Sequence, residues 1–118
     1  LFSAIVGWER EQARKAAGLR THMIVGLGST LITIVSVSGF SSGDPTRVAA
    51  AVITGIGFLC AGTIIFSKAG IKGLTTAATL WIVTGIGLAI GVGLYIATFA
   101  TMVLMILILE LNWFLKVK

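Results

Sequence analysis

No charged residue stands between Arg20 and Asp44, between Arg47 and Lys68, or between Lys72 and Glu110. Those gaps constrain the fold more than any other feature. A helix rising 1.5 Å per residue needs about 20 apolar residues to cross a hydrocarbon core roughly 30 Å thick. The uncharged stretches are of that size or longer. The chain is 57% hydrophobic and only 11% charged, where a soluble domain carries about 25% charged residues. Backbone groups in lipid must bond within their own segment, which leaves helices as the economical solution. The reading is all-α: one domain, residues 1–118, forming an integral membrane bundle of about five transmembrane helices.

The first apolar run, Leu1 to Trp8, is too short to span and reads as a truncated first helix. Span two runs about Met23 to Phe40, span three Val48 to Phe66, span four Leu74 to Gly91 and span five Leu94 to Leu115. Short connections predict antiparallel neighbours. Asp44-Pro45 reads as an N-cap followed by Pro at the first helical position of span three, and Thr75 or Thr76 as a cap for span four. Trp113 reads as an interfacial anchor of span five.

The basic residues divide by loop. Arg10, Arg14, Lys15 and Arg20, then Lys68 and Lys72, then Lys116 and Lys118 fall on one side, and Arg47 alone on the other. The positive-inside rule makes the rich side cytoplasmic, with the C-terminus inside. The net charge of +5 therefore reads as topology, and no nucleic-acid partner is expected. The single cysteine, Cys60, cannot form an intrachain disulfide and reads as a small buried apolar residue.

Small residues concentrate in spans two to four, which read as the compact core, with span five as a peripheral wall. In lipid, helices associate through close backbone approach, so Gly55, Gly57 and Gly62 in span three and Gly85, Gly87 and Gly91 in span four are expected at packing contacts. Gly87 and Gly91 form a GxxxG. Thr54-Gly55-Ile56-Gly57 recurs as Thr84-Gly85-Ile86-Gly87, a weak sign of internal duplication.

Chemistry is expected at the span ends. The only histidine, His22, reads as an interfacial residue, since polar side chains commonly end spans. Spans two to four carry no charge in their apolar runs, which argues against a proton pump. The four acids are Glu9, Glu11, Asp44 and Glu110. Glu9 and Asp44 lie a bilayer apart, so one protomer cannot gather them around a hard cation, and no metal or other cofactor is expected. Glu9 is expected to pair with Arg20 across the first loop, and Glu110 to reach toward Lys116 or a basic loop. The hydroxyls of Thr75, Thr76 and Thr79, ahead of Trp81, cap, pack or line a pathway. With no nucleophile and base together, an enzyme is not expected.

Six segments in order carry a resemblance: Gly7-Trp8-Glu9-Arg10-Glu11, Ala17-Gly18-Leu19-Arg20-Thr21-His22, Asp44-Pro45-Thr46-Arg47-Val48-Ala49-Ala50, Thr54-Gly55-Ile56-Gly57-Phe58-Leu59, Ala61-Gly62, and Gly73-Leu74-Thr75-Thr76-Ala77-Ala78-Thr79-Leu80-Trp81. With this order and spacing the chain resembles the MgtC/SapB family over nearly its whole length. The resemblance implies a membrane protein of bacterial type tied to magnesium limitation and, in some members, to survival inside host cells. Members of the virulence branch are taken to inhibit the F-type ATP synthase rather than to carry Mg²⁺. Ala51 stands where many members have Gln, Cys60 where many have Gly, and Thr75 where the virulence branch often has Asn. The departure at Thr75 sets the chain nearer the SapB side, and it is expected to lack the C-terminal cytoplasmic domain that virulence members carry.

Two functions follow as expectations. The first is a regulatory or accessory protein acting through other membrane proteins, in a homo-oligomer or larger complex embedded in the bilayer of a bacterial plasma membrane or an organelle membrane of bacterial descent. The second is a small-solute or cation transporter, which would need helices unwound at Gly55–Gly57 or Gly85–Gly87 to expose carbonyls.

Overall fold

The computed structural model describes residues 1–15, 17–39, 42–68 and 70–111. Five helices occupy the five expected positions: α1 (Phe2–Gln12), α2 (Leu19–Ser38), α3 (Thr46–Gly62), α4 (Leu74–Gly91) and α5 (Tyr95–Leu109). A hairpin of β1 (Ile65–Ser67) and β2 (Gly70–Lys72) joins α3 to α4, with Ile65 opposite Lys72 and Ser67 opposite Gly70. Among the described residues, α2 and α4 are long and apolar enough to cross a membrane, while α3 and α5 are shorter apolar helices. Trp113, Lys116 and Lys118 lie outside the described residues.

Inter-helix contacts fix the directions. Ser3 meets Gly26 and Gly7 meets His22, so α1 and α2 are antiparallel. His22 meets Thr79, Ser29 meets Gly87 and Thr33 meets Gly91, so α2 and α4 are parallel. Cys60 meets Ala77, making α3 antiparallel to α4. Phe2 packs edge-on against Phe99 at 6.3 Å between centroids, beside the start of both α1 and α5. The chain thus alternates direction helix by helix, as short connections require. Asp44 and Arg47 sit at one end of the bundle. Glu9, Arg10, His22 and the hairpin with Lys68 and Lys72 sit at the other.

α4 is the hub. It packs on all four other helices and buries Leu80 and Val83 completely, along with Thr76, Thr79, Thr84, Ile86 and Gly87. The apolar core joins Val6 of α1, Val83 and Ile86 of α4, and Met102 and Met105 of α5. This corrects the expected core of spans two to four. α3 buries only Ile56 and is the least embedded of the four longer helices, whereas α1 and α5 contribute to the centre.

The glycines split the same way. A Cβ on Gly87 would fall on the Ser29 hydroxyl and 2.8 Å from the Gly26 carbonyl oxygen, and one on Gly91 would lie 2.5 Å from Thr33 Cβ. These two packing expectations hold. Gly55, Gly57, Gly62 and Gly85 make no such contact within the protomer: a Cβ there meets nothing within 4 Å. The two Thr-Gly-Ile-Gly segments share a buried isoleucine, Ile56 and Ile86, yet Gly57 is open where Gly87 is tight.

Helix ends explain the other departures. Asp44 Oδ1 accepts from the Thr46 amide at 2.9 Å and the Thr46 hydroxyl at 2.7 Å, and Pro45 already has helical dihedrals, so the Asp-Pro start works as expected. α4 is not capped by Thr75 or Thr76. It starts from Gly73, whose φ of +87° is a left-handed conformation favouring glycine, and whose missing Cβ leaves room for the Thr63 carbonyl. α3 ends at Gly62 rather than Phe66, and β1 and β2 pair ahead of this turn.

Gly87→Ala is expected to wedge α2 from α4 and cost about 1–3 kcal/mol. Gly85→Ala fills open space and gains up to about 1 kcal/mol of helix propensity. Unfolding both variants in the same detergent checks this, and equal midpoints would refute the tight α2–α4 contact.

Candidate functional site

The residues that bear chemistry gather where α1 ends, α2 begins, α4 begins and α5 ends. α1 carries Glu9 and Arg10 in its last turn. Arg10 is 3% exposed, and its guanidinium grips the neighbouring carboxylate with Nε donating to Glu9 Oε2 at 2.7 Å and Nη2 to Oε1 at 3.1 Å. This corrects the expected Glu9–Arg20 pair. Adjacent helix residues do not face each other, yet Arg10 is buried and must find its counter-ion nearby, whereas Arg20 is exposed to solvent and needs none. Arg10 Nη1 is buried with no hydrogen-bond partner among the described residues.

His22 is 0% exposed, enclosed by protein rather than presented to solvent at the start of α2. α2 begins at Leu19, four residues before the expected start, and so draws His22 into the helix and under α1. Gly7 makes this possible, since a Cβ there would lie 2.9 Å from His22 Cβ and from Leu19 Cα. The ring bonds at both nitrogens, Nδ1 with the Gly18 carbonyl oxygen at 2.8 Å and Nε2 with Thr79 Oγ1 at 3.1 Å. Thr79 Oγ1 also lies 2.8 Å from the Thr76 carbonyl oxygen. Thr76 is buried at 2% exposure, while Thr75 is exposed.

Glu110, just past α5, reaches Glu9, and its expected partner Lys116 lies outside the described residues. A hydrogen bond between two carboxyl groups requires a proton on one of them. The Glu9 carboxyl beside it raises the Glu110 pKa above the usual glutamate range, with burial and charge repulsion adding to the effect. Trp8, Glu9, Arg10, Lys15, Thr75 and Glu110 line a cavity of about 580 Å³.

The remaining candidates lie elsewhere. Asp44 and Arg47 are at the far end. The two hydrogen bonds from Thr46 hold the Asp44 carboxyl below its ordinary pKa, and Arg47 edges an apolar groove of about 600 Å³ between α2 and α3. Trp81 is 53% exposed and borders a crevice of about 280 Å³ with Ile53, Ala97 and Thr101. Cys60 is half-buried and its thiol donates to the Ala77 carbonyl at 3.2 Å. No group of three or more His, Cys, Asp or Glu able to hold a metal ion occurs among the described residues.

Sequence reasoning missed Gly7, Gly18 and Glu110 as parts of the site. Gly18 had a signal, four residues before His22 at a helix start. The meeting of Glu110 with Glu9, 101 positions apart, had none.

Apolar helices packed around a central α4, with an ion pair and a histidine buried at one end, define a small all-helical domain. The chain belongs to the MgtC family, whose profile matches residues 1–117. It is 44% identical over 113 residues to the Escherichia coli K12 protein named "Putative magnesium transporter YhiD", covering 89% of this chain and 53% of that protein. It is 45% identical over 96 residues to Protein MgtC of Brucella abortus, covering 80% of this chain and 40% of that one. It is 42% identical over 93 residues to Protein MgtC of Salmonella typhimurium, covering 79% and 40%. The chain therefore spans about half the length, or less, of these curated relatives. No solved structure matches it.

Two outcomes test the site. Glu9→Ala strands the buried Arg10 charge and is expected to cost about 3–5 kcal/mol, whereas Glu9→Ala with Arg10→Met is expected to recover most of that loss. A double-mutant unfolding cycle reads this, and a double variant as unstable as the single one overturns it. Because the Glu110 pKa is raised in the fold, its contact with Glu9 contributes below the usual glutamate range and is lost as pH rises through the raised value. Glu110→Gln should flatten that part of the melting-temperature profile, and an unchanged profile would remove the shared proton.

Proposed function

We propose that this chain is the membrane-embedded part of a regulatory or accessory MgtC-family protein tied to magnesium homeostasis, which works by contacting other membrane proteins. The observation that carries this reading is the outer face of α3. Phe58 is 86% exposed at its centre, and the glycines at its margins, Gly55 and Gly62 on one side and Gly57 on the other, are open. Elsewhere in the same protomer, Gly87 and Gly91 are filled to contact by a neighbouring helix. Small residues are how helices in lipid approach closely, so an unfilled glycine face on a helix that buries only Ile56 is suited to a helix from outside the protomer. Homo-oligomerisation and a larger complex both use such a face.

Membrane embedding is supported by the two long apolar helices, the family, and the exposed aliphatic side chains of α2 and α5, among them Leu27, Leu31, Ile96 and Leu104. The end bearing Arg10, Arg14, Lys15, Arg20, Lys68 and Lys72 is assigned to the cytoplasmic side. An enzymatic role is not proposed: the Thr79 hydroxyl that meets His22 is 3% exposed.

A transporter is the second reading, favoured by the printed name of the YhiD relative. α3 and α4 run as continuous helices through Gly55–Gly57 and Gly85–Gly87. That continuity weighs against carbonyl-lined cation sites at those points and favours the contact reading.

Gly57→Leu separates the readings, because it fills open space in the protomer and should leave the fold and melting temperature intact. The parent protein, extracted from membranes in mild detergent, is expected to migrate as an assembly larger than the protomer, and Gly57→Leu as a smaller one. Proteoliposomes loaded with a Mg²⁺-sensitive dye are expected to match empty liposomes. Protein-dependent Mg²⁺ uptake, with an unchanged assembly in Gly57→Leu, would replace the accessory reading with the transporter.

A further inference from the structure

His22 is enclosed between α1, α2 and α4 and bonded at both ring nitrogens, and those two bonds differ in what they permit. The Gly18 carbonyl oxygen can only accept, so Nδ1 carries a hydrogen in every state of the ring. Thr79 Oγ1 has one hydrogen and two places to send it, the Thr76 carbonyl oxygen at 2.8 Å or His22 Nε2 at 3.1 Å. If the hydroxyl donates to Nε2, the ring is neutral with its hydrogen on Nδ1. If the hydroxyl donates to Thr76, Nε2 must itself donate to Thr79, and the ring is the imidazolium. Rotation of one hydroxyl converts a site satisfied for the neutral ring into one satisfied for the cation. A buried histidine usually has its bonds arranged for one form and loses a bond in the other.

We propose that His22 and Thr79 form a proton-binding site within the bundle. A proton from solvent adds to the Nε2 lone pair, the ring gains one positive charge, and the Thr79 hydrogen turns from Nε2 to the Thr76 carbonyl. No other bond is broken. The charged groups that act on the ring are Arg10 and Glu9 of α1, which form a neutral ion pair. α4 presents the Thr79 hydroxyl and, behind it, the Thr76 carbonyl oxygen, and Glu110 beyond α5 acts through Glu9. Thr79 also lines a crevice of about 280 Å³ with Thr75, and Thr75 borders the polar cavity of Glu9 and Glu110, which gives a route from that end of the bundle.

His22 is the only histidine in the chain, so ¹⁵N-histidine labelling in lipid nanodiscs reports on it alone. At high pH the neutral ring is expected as the Nδ1–H tautomer, the reverse of the form free histidine favours in water. Acidification is expected to move the Nε2 resonance reversibly to that of a protonated nitrogen while the far-UV helical signal stays constant. Thr79→Val, which keeps the shape but removes the rotating hydroxyl, should shift the midpoint of that step, and Thr79→Ser should restore it. An Nε2–H tautomer would overturn the proposal. So would a ring that stays neutral down to acid unfolding, one that titrates only as the helical signal is lost, or a midpoint that Thr79→Val leaves in place.

Discussion

The close approach of α2 to α4 is the contact on which the rest of the structure depends. It runs as a parallel seam from His22 against Thr79, through Gly26 and Ser29 against Val83 and Gly87, to Thr33 against Gly91. Lipid tails are as apolar as the side chains they touch, so burial alone gives little reason for one helix to choose another. Closeness of backbones supplies it. The seam carries hydroxyls without stranding them, because Ser29 donates to the Gly26 carbonyl at 3.2 Å and Thr33 to the Ser29 carbonyl at 2.7 Å, both within α2. With α4 fixed in this way, its other faces receive α1, α3 and α5.

The parts of the fold written in charge were legible from sequence. Gaps between charged residues located α2, α3 and the stretch holding α4 and α5, and Asp44-Pro45 located a helix start to within a residue. The orientation of each helix about its own axis was not. In a soluble helix the polar face marks the outside, but here both faces are apolar, and nothing in Thr-Gly-Ile-Gly distinguishes Gly57, which is open, from Gly87, which is packed. Treating every glycine as a contact therefore put the core at α2 to α4 and undervalued α1 and α5. Gly87 and Gly91 were placed correctly because their four-residue spacing keeps both on one face against Ser29 and Thr33.

The site was legible in its residue types and only partly in its pairings. Glu9, Arg10, His22 and the threonines ahead of Trp81 were all singled out, and most converge at one end. The pairing of Glu9 failed because loop ends were assumed to meet. Burial decided it instead: the arginine under 4% exposed took the carboxylate, and the solvated Arg20 did not. His22 was misplaced for a related reason. Sequence marks where hydropathy begins, but the helix begins earlier, at Leu19, and Gly7 lets α1 lie over it.

The buried end is electrically economical, and that bears on how it can respond. Arg10 and Glu9 cancel, and Glu110 is held toward its neutral form by the Glu9 carboxylate it bonds. A proton taken up at His22 would add one positive charge beside this cluster, and a proton lost from Glu110 would add one negative charge to it. Both changes act through the same Glu9–Arg10 pair, since Glu9 touches Glu110 and both members of the pair act on the His22 ring. Opposite charges so placed attract, and water at the open Glu110 carboxyl screens that attraction. The electrostatics of this end therefore centre on the buried Arg10 and its Glu9 partner, with His22 on one side and Glu110 on the other.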